Sequence, residues 1–132
     1  MQNCIEFFGR VEKTTAENYL PNSDIAIIPH IRSEQSDNSS PNKLFEYMCA
    51  GLPILSSNCP SIKRVIDETQ TGDTYIYDSS SDFADKVLSL YDNYERLAIL
   101  GQNGRKAIEK KYNWEKSAES LIELYSKIEA VI

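Results

Sequence analysis

Short apolar runs alternate with segments of helical periodicity along the 132 residues of the chain. Residues 24–29 (DIAIIP) are nearly all aliphatic, which is typical of a strand covered on both faces of a parallel sheet. Residues 5–8 (IEFF), 52–56 (LPILS) and 72–77 (GDTYIY) are further short runs bounded by polar residues, proline or glycine. Strands that alternate with helices predict an α/β fold, with an open parallel sheet flanked by helices.

Helical patterns occupy most of the remaining chain. Residues 14–17 (TTAE) indicate the start of a short helix that ends near Pro21. Further helices are predicted over residues 61–67, 83–91, 93–100 and 102–111, and from 113 to the C-terminus. The polar segment 32–40 shows no periodicity, so it is predicted to be a loop.

The helix over residues 41–50 (PNKLFEYMCA) has the clearest ends. Ser40 suits its N-cap, Pro41 suits its first position, and Gly51 suits the turn that ends it. The side chains predicted to be buried lie on one stripe of this helix: Leu44, Phe45, Met48 and Cys49.

The start of this helix is the best candidate for a binding site. Open parallel sheets bind ligands beyond the carboxyl ends of their strands, and the first turn of a helix suits a phosphate. Asn42 and Lys43 lie in that turn, and Glu46 lies one turn further along the same face. A carboxylate below an anion site suits a pair of ribose hydroxyls, so the pattern predicts a nucleoside diphosphate. The alternative is a solvated Lys/Glu pair on a surface helix.

Composition and charge narrow the class of protein. The formal net charge of −6 disfavours nucleic acid as a partner. The apolar runs are too short to span a bilayer and the first residues do not resemble a signal peptide, so we expect a cytoplasmic protein. The three cysteines show no C-x-x-C spacing, which argues against both a disulfide framework and a zinc site.

The segment SPNKLFEYMCAGLPIL, residues 40–55, closely resembles the signature of the retaining, nucleotide-sugar-dependent glycosyltransferases of the GT-B type. This is the glycosyl transferases group 1 family, whose members often have SP-x-K-x-x-E-Y-M-A-x-G-x-P-V here. The segments FFGRV, SDIAIIP, TGD and KYNWE follow the order of the family, so the resemblance covers nearly the whole chain. It implies a Rossmann-like domain that forms the C-terminal, donor-binding half of a GT-B enzyme.

The resemblance also implies roles for particular residues. Glu46 matches the glutamate that holds the ribose hydroxyls. The residues that match the loop and first helical turn around the diphosphate and sugar are Ser39, Ser40, Pro41, Asn42, Lys43 and Leu44. The residues that match the loop beside the nucleobase are Gly9, Arg10 and Val11.

One position departs from the family pattern. Asn38 stands eight residues before Glu46, where the family usually has a glutamate that touches the donor sugar. An asparagine can hydrogen-bond a sugar hydroxyl, but it brings no negative charge to the transition state. Branches with SPNKLFEYM often lack this acid, which favours subfamily variation. Glu46 and Asn38 are therefore the candidate catalytic residues.

Segments that the family's full enzymes possess are missing from this sequence. We expect residues 1–132 to be a single donor-binding domain, without the N-terminal acceptor domain and without the Arg- and Lys-bearing start of its own domain. Such a domain would bind a nucleoside diphosphate weakly and transfer no sugar alone. The full enzyme, peripheral at the inner membrane face, would move a hexose-type sugar from an NDP-sugar to a glycan or lipid-linked acceptor. The product would be a bacterial surface polysaccharide such as O-antigen (lipopolysaccharide) or capsule.

No cofactor and no metal are expected, because the sequence has no D-x-D and GT-B enzymes stabilise the leaving diphosphate with helix dipoles and basic residues. Two alternatives stay open: a non-catalytic Rossmann or flavodoxin-like nucleotide-binding or regulatory module, and an NDP-sugar epimerase of GT-B shape. In full-length relatives the terminal helix crosses to the other domain. Its apolar face is therefore expected to be exposed here and to promote self-association.

Overall fold

The computed structural model describes residues 4–130 and contains one parallel sheet. Its strands, in spatial and chain order, are β1 (Ala26–Ile28), β2 (Ile54–Ser57) and β3 (Gly72–Tyr75). Ile27 pairs with Leu55, and Ser56 pairs with Thr74, so each strand lies parallel to the next. Helices make the crossovers that parallel strands require. The predicted α/β class with an open parallel sheet flanked by helices is confirmed.

In the described part of the chain, one α-helix precedes the first strand, and α-helices follow every strand. In chain order they are α1 (Lys13–Tyr19), α2 (Glu34–Asn38), α3 (Asn42–Ala50), α4 (Pro60–Thr69), α5 (Ser80–Tyr91), α6 (Tyr94–Lys110) and α7 (Trp114–Glu129). Asn93 and Asn113 cap α6 and α7 through their side chains, because each amide oxygen accepts a first-turn amide hydrogen. Within the described ranges, no helix has the length and apolarity needed to cross a bilayer.

The core lies on both faces of the sheet. Ile54 and Leu55 are neighbours on β2 that face opposite sides, and both are wholly buried. On the Ile54 side the core is filled from α3 and α4, and on the Leu55 side from α5 and α6. Burial of each such side chain stabilises the fold by about 2 kcal/mol. A central strand buried on both faces explains the continuous aliphatic runs in the sequence.

The prediction of a strand over residues 5–8 is wrong. This segment is irregular, and the Phe7 side chain is 91% exposed. A strand is stabilised by a hydrogen-bonded ladder with a neighbour, and β1 pairs only with β2 among the described residues. The apolar letters alone could not show whether a neighbouring strand was there.

The prediction that segment 32–40 is wholly a loop is also wrong, because it contains α2. Ser33 caps this helix, and its hydroxyl accepts from the Ser36 amide while the Ser36 hydroxyl accepts from the Ser33 amide. This is a capping box with serine in place of the usual glutamate or glutamine. Arg32 adds a bidentate ion pair with Asp37, whose shortest contact joins Nη2 to Oδ2 at 2.6 Å.

The predicted break between residues 100 and 102 does not occur, because α6 is continuous through Gly101. Gly101 lies against Gly51, which ends α3 as predicted and has a positive φ of 73°. A Cβ on Gly101 would lie 2.0 Å from the carbonyl oxygen of Gly51. The glycine therefore allows close contact between two helices and does not interrupt its own helix.

An ion-pair cluster ties α4 to the end of α6. The Glu68 carboxylate accepts hydrogen bonds from the Lys111 ammonium and from the Tyr112 hydroxyl, the latter at 2.9 Å. The Tyr112 ring also stacks on Phe45 of α3, with centroids 5.5 Å apart. The hydrogen bond from Lys111, followed by that from Tyr112, lowers the pKa of Glu68 below its ordinary value of 4.5.

We expect Glu68→Gln to lower the melting temperature at pH 7 by a few degrees at most, since the cluster is solvent-exposed. The contribution of a carboxylate with a lowered folded pKa is complete above its ordinary pKa and is lost as the pH falls through the folded pKa. Thermal melts at a series of pH values should therefore show the difference from wild type shrinking below about pH 4. A difference in melting temperature that persists at the lowest pH would contradict this. Glu109→Gln, at an exposed site on α6, is the control.

Candidate functional site

The candidate site begins where β1 leads, through α2 and a short turn, to the N-terminus of α3. Pro41 is the N-cap of α3, with an extended backbone (ψ 146°), and Asn42 is the first helical residue. The predicted cap by Ser40 is therefore wrong: the helix begins one residue later, and no side chain of the described residues caps it. The amides of Asn42 and Lys43 have no partner within the helix, as at every helix start. Residues 39–44, the loop and first helical turn that we call the 39–44 turn, thus present amide groups and the positive end of the α3 dipole.

Glu46 and Asn42 lie on one face of α3, as their spacing predicts. They line a groove of about 550 Å³ between α1 and α3, which we call the α1–α3 groove. Its other lining residues are Glu17, Leu20, Phe45, Cys49 and Ala50. The predicted burial of Cys49 is wrong, because this side chain turns toward the groove and is exposed, while Leu44 and Met48 are wholly buried.

A smaller depression of about 220 Å³ adjoins the groove and brings basic side chains to Glu46. Lys43 lines it from α3 and Lys13 lines it from α1, where its ammonium lies 3.4 Å from the Glu17 carboxylate. Tyr47 forms part of the wall, and burial together with the charge of Glu46 raises the pKa of its hydroxyl. The depression therefore holds two exposed carboxylates, Glu17 and Glu46, and two ammonium groups, of which Lys13 is paired with Glu17.

Residues of the 39–44 turn differ in what they can offer a ligand. Pro41 has no amide hydrogen, and the Leu44 amide donates to the Pro41 carbonyl oxygen at 3.0 Å. The Leu44 side chain is wholly buried, so only its backbone faces the turn. Ser39, Asn42 and Lys43 are exposed and Ser40 is half-buried, which leaves their groups accessible to an anion.

Asn38 and Ser39 use part of their hydrogen-bonding capacity to close the C-terminus of α2. The Asn38 amide donates to the Glu34 carbonyl oxygen at 2.8 Å, and the Ser39 hydroxyl donates to that of Gln35 at 2.7 Å. The Asn38 side-chain oxygen stays available as an acceptor. Asp37, the residue before Asn38, forms an ion pair with Arg32. The hydrogen bond from Arg32 lowers the pKa of the Asp37 carboxylate.

The predicted base-contacting residues Gly9, Arg10 and Val11 lie on an exposed segment before α1. Gly9 has a φ of 64°, a left-handed conformation that glycine adopts readily. The Phe8 ring, just before it, contacts the Tyr19 ring at the end of α1, with centroids 4.8 Å apart. The α1–α3 groove is lined from α1, the turn after it and α3, and not by these three residues.

A second cavity, of about 570 Å³, opens at the carboxyl ends of β1 and β3. Its walls include His30, Tyr75, Tyr77 and Phe83, and the carbonyl oxygen of His30 accepts from the Ser57 hydroxyl at 2.7 Å. Across the part of the chain that the structure describes, no cluster of three or more His, Cys, Asp or Glu is placed to hold a metal ion. The expected metal independence stays a prediction.

Comparison with known proteins decides the family. Residues 1–93 match the family model of the glycosyl transferases group 1. The chain belongs to this family. The match includes β1, the 39–44 turn, α3 and β2, so it covers the whole candidate site.

Curated relatives and a solved structure are similar to this glycosyltransferase-family chain. Spore coat protein SA of Bacillus subtilis is 33% identical over 86 residues, which cover 63% of this chain and 22% of that protein. The phosphatidyl-myo-inositol mannosyltransferase of Mycobacterium leprae is 24% identical over 124 residues, covering 94% of this chain and 32% of that one. Sucrose-phosphate synthase from Thermosynechococcus elongatus superposes with a TM-score of 0.81 at 18% identity, over 98% of this chain and 31% of that chain.

The match covers only part of each of these three proteins. The chain spans a third or less of the length of each of the three proteins. The likeness to sucrose-phosphate synthase, at low identity, concerns the fold and agrees with the GT-B resemblance of the sequence.

Proposed function

We propose that this chain is the C-terminal, donor-binding half of a retaining GT-B glycosyltransferase. The observation that carries the proposal is the position of Glu46, which lines the α1–α3 groove one turn below the uncapped start of α3. Lys43 and Lys13 line the same depression as Glu46, with Lys13 paired to Glu17. A carboxylate that accepts two hydroxyls, next to amides and ammonium groups that attract phosphate, matches the chemistry of a nucleoside diphosphate.

The roles that we propose follow from this geometry and from the family resemblance. Glu46 accepts the ribose hydroxyls, and the 39–44 turn donates amides to the diphosphate and sugar. Asn38 offers its side-chain oxygen to a sugar hydroxyl. Gly9, Arg10 and Val11 approach the nucleobase once the ligand is bound. The α3 dipole and Lys43 stabilise the charge that develops on the leaving diphosphate.

The full reaction that we propose is transfer of a hexose-type sugar from an NDP-sugar to a glycan or lipid-linked acceptor, in the synthesis of a bacterial surface polysaccharide. The name of the mycobacterial relative, a mannosyltransferase, supports a hexose donor and a lipid-linked acceptor. The family match supports a transferase more than an epimerase or a regulatory module. Since the chain spans a third or less of its relatives, we propose that the acceptor is bound by a further domain.

The test is a titration of UDP, GDP and ADP against the chain, monitored by ligand-observed NMR. We expect weak binding with a preference for one base, and no sugar transfer by the chain alone. If none of the three nucleotides binds, the donor assignment is wrong. Robust turnover by this polypeptide alone would contradict the need for a second domain.

Self-association through α7 is a separate proposal. All of its apolar side chains except Ala118 are exposed, among them Trp114 at 73% and Ile122 at 64%. Leu121, Tyr125 and Ile128 follow one another at helical spacing and form an apolar stripe on this helix. We propose that two copies pair these stripes, since burial of exposed apolar surface stabilises association.

We expect Leu121→Glu to abolish the dimer, because it places a charge within the apolar stripe. Analytical ultracentrifugation at rising concentration measures the effect. Ser120→Glu adds the same charge at the neighbouring position and should leave association unchanged. A wild-type chain that stays monomeric at high concentration would contradict the proposal.

A further inference from the structure

Ser61 joins α4 to the segment that precedes α3. It is the second residue of α4, after Pro60, and it is half-buried. Its hydroxyl lies 3.0 Å from the Ser36 carbonyl oxygen and 2.7 Å from the Ser39 carbonyl oxygen. The single hydroxyl proton is shared between these two acceptors. The bond therefore reaches across more than twenty residues of sequence to the first residue of the 39–44 turn.

The other side-chain hydrogen bonds of the segment that Ser61 holds are local, and include the Ser33–Ser36 capping box and the Arg32–Asp37 pair. α2 has only five residues, and a helix of that length is not stable on its own. The side chains of Asn38 and Ser39 satisfy carbonyl oxygens within α2 itself. Ser61 instead connects the segment to the core, because α4 is anchored by its buried Ile62 and Val65.

We infer that Ser61 is a positioning residue for the diphosphate of the donor, an inference that rests on the proposed donor site. By fixing the Ser39 carbonyl group it sets the direction of the peptide that leads into the 39–44 turn, and hence the direction of the amides of Ser40, Asn42 and Lys43. Ser61 does not line the α1–α3 groove and acts only through this turn. Its effect is therefore confined to the phosphate end of the ligand.

Ser61→Ala should lower the affinity for a nucleoside diphosphate by about three- to tenfold, which is the net effect of one lost hydrogen bond. The affinity for the corresponding nucleoside should stay unchanged, because Glu46 still holds the ribose. Ser61→Thr keeps the hydroxyl and should restore the affinity for the diphosphate. The ratio of the two affinities separates positioning from general loss of structure, which would weaken both ligands.

The experiment compares UDP with uridine, GDP with guanosine and ADP with adenosine by ligand-observed NMR, on wild type and variants of the full chain. Ser117→Ala is the matched control, because that hydroxyl bonds to the Asn113 carbonyl oxygen within α7. If Ser61→Ala folds poorly, Ser61→Cys keeps the size with a weaker donor and should show a smaller loss.

The outcomes distinguish this inference from the donor site itself. A diphosphate-selective loss in Ser61→Ala with recovery in Ser61→Thr supports the positioning role. Equal weakening of nucleoside and diphosphate, or no change while Glu46→Ala loses binding, overturns the role of Ser61 and leaves the donor site intact. Failure of all three diphosphates to bind wild type overturns the donor site, and the role of Ser61 with it.

Discussion

Glu46→Ala is expected to lower the affinity of the chain for the proposed nucleoside diphosphate by about a hundredfold. Glu46 is the exposed carboxylate that lines both the α1–α3 groove and the depression beside Lys13 and Lys43. Each hydrogen bond from a hydroxyl to a carboxylate contributes about 1.5 kcal/mol or more, and a ribose offers two. Loss of roughly 3 kcal/mol corresponds to about a hundredfold in affinity.

Two further variants make this result specific. Glu46→Gln keeps an oxygen acceptor without the charge, so its affinity should lie between those of wild type and the alanine variant. Glu115→Ala removes an exposed carboxylate from the start of α7 and should bind as wild type does. Calorimetric titration with the nucleotide that binds wild type measures all four proteins. An alanine variant with wild-type affinity would show that Glu46 does not hold the ribose.

Gly101→Ala should destabilise the fold by about 3 kcal/mol and lower the melting temperature by roughly 10 °C. The added Cβ would lie 2.0 Å from the Gly51 carbonyl oxygen and 3.7 Å from the Pro53 ring. The neighbour is backbone at the end of α3, so α3 and α6 must move apart. Alanine is a better helix former than glycine by about 1 kcal/mol, which offsets only part of this effect.

Thermal and urea denaturation measure the change, and two variants serve as controls. Gln102→Ala lies at the next, exposed position of α6 and should alter stability little. Gly51→Ala places its Cβ 3.9 Å from the Gly101 carbonyl oxygen, an ordinary contact, so its effect should be limited to the strain of a positive φ. If Gly101→Ala is as stable as wild type, the close contact between α3 and α6 is not as described.

The sequence was sufficient for those features that depend on local chemistry. The apolar runs located β1, β2 and β3 to within two residues, because buried strands require them. The spacing of Asn42, Lys43 and Glu46 placed these residues on one face of α3, and Gly51 marked its end. These are properties of a single helix, and neighbours do not change them.

Features set by distant residues could not be predicted. α2 is tied to Ser61, which lies more than twenty residues further along the chain, and this bond does not appear as periodicity. Gly101 suggested a break, since glycine is unfavourable inside a helix, but its contact with Gly51 explains its presence. The α1 wall of the groove, with Glu17, likewise depends on how two helices meet.

The most direct test of the donor site is amide NMR of the isotope-labelled chain during titration with UDP, GDP or ADP. If the 39–44 turn and the α1–α3 groove bind the nucleotide, the largest shifts should fall on the amides of Ser39, Ser40, Asn42, Lys43 and Glu46. Shifts confined to the cavity of His30, Tyr75, Tyr77 and Phe83, or no shifts with any of the three nucleotides, would contradict it.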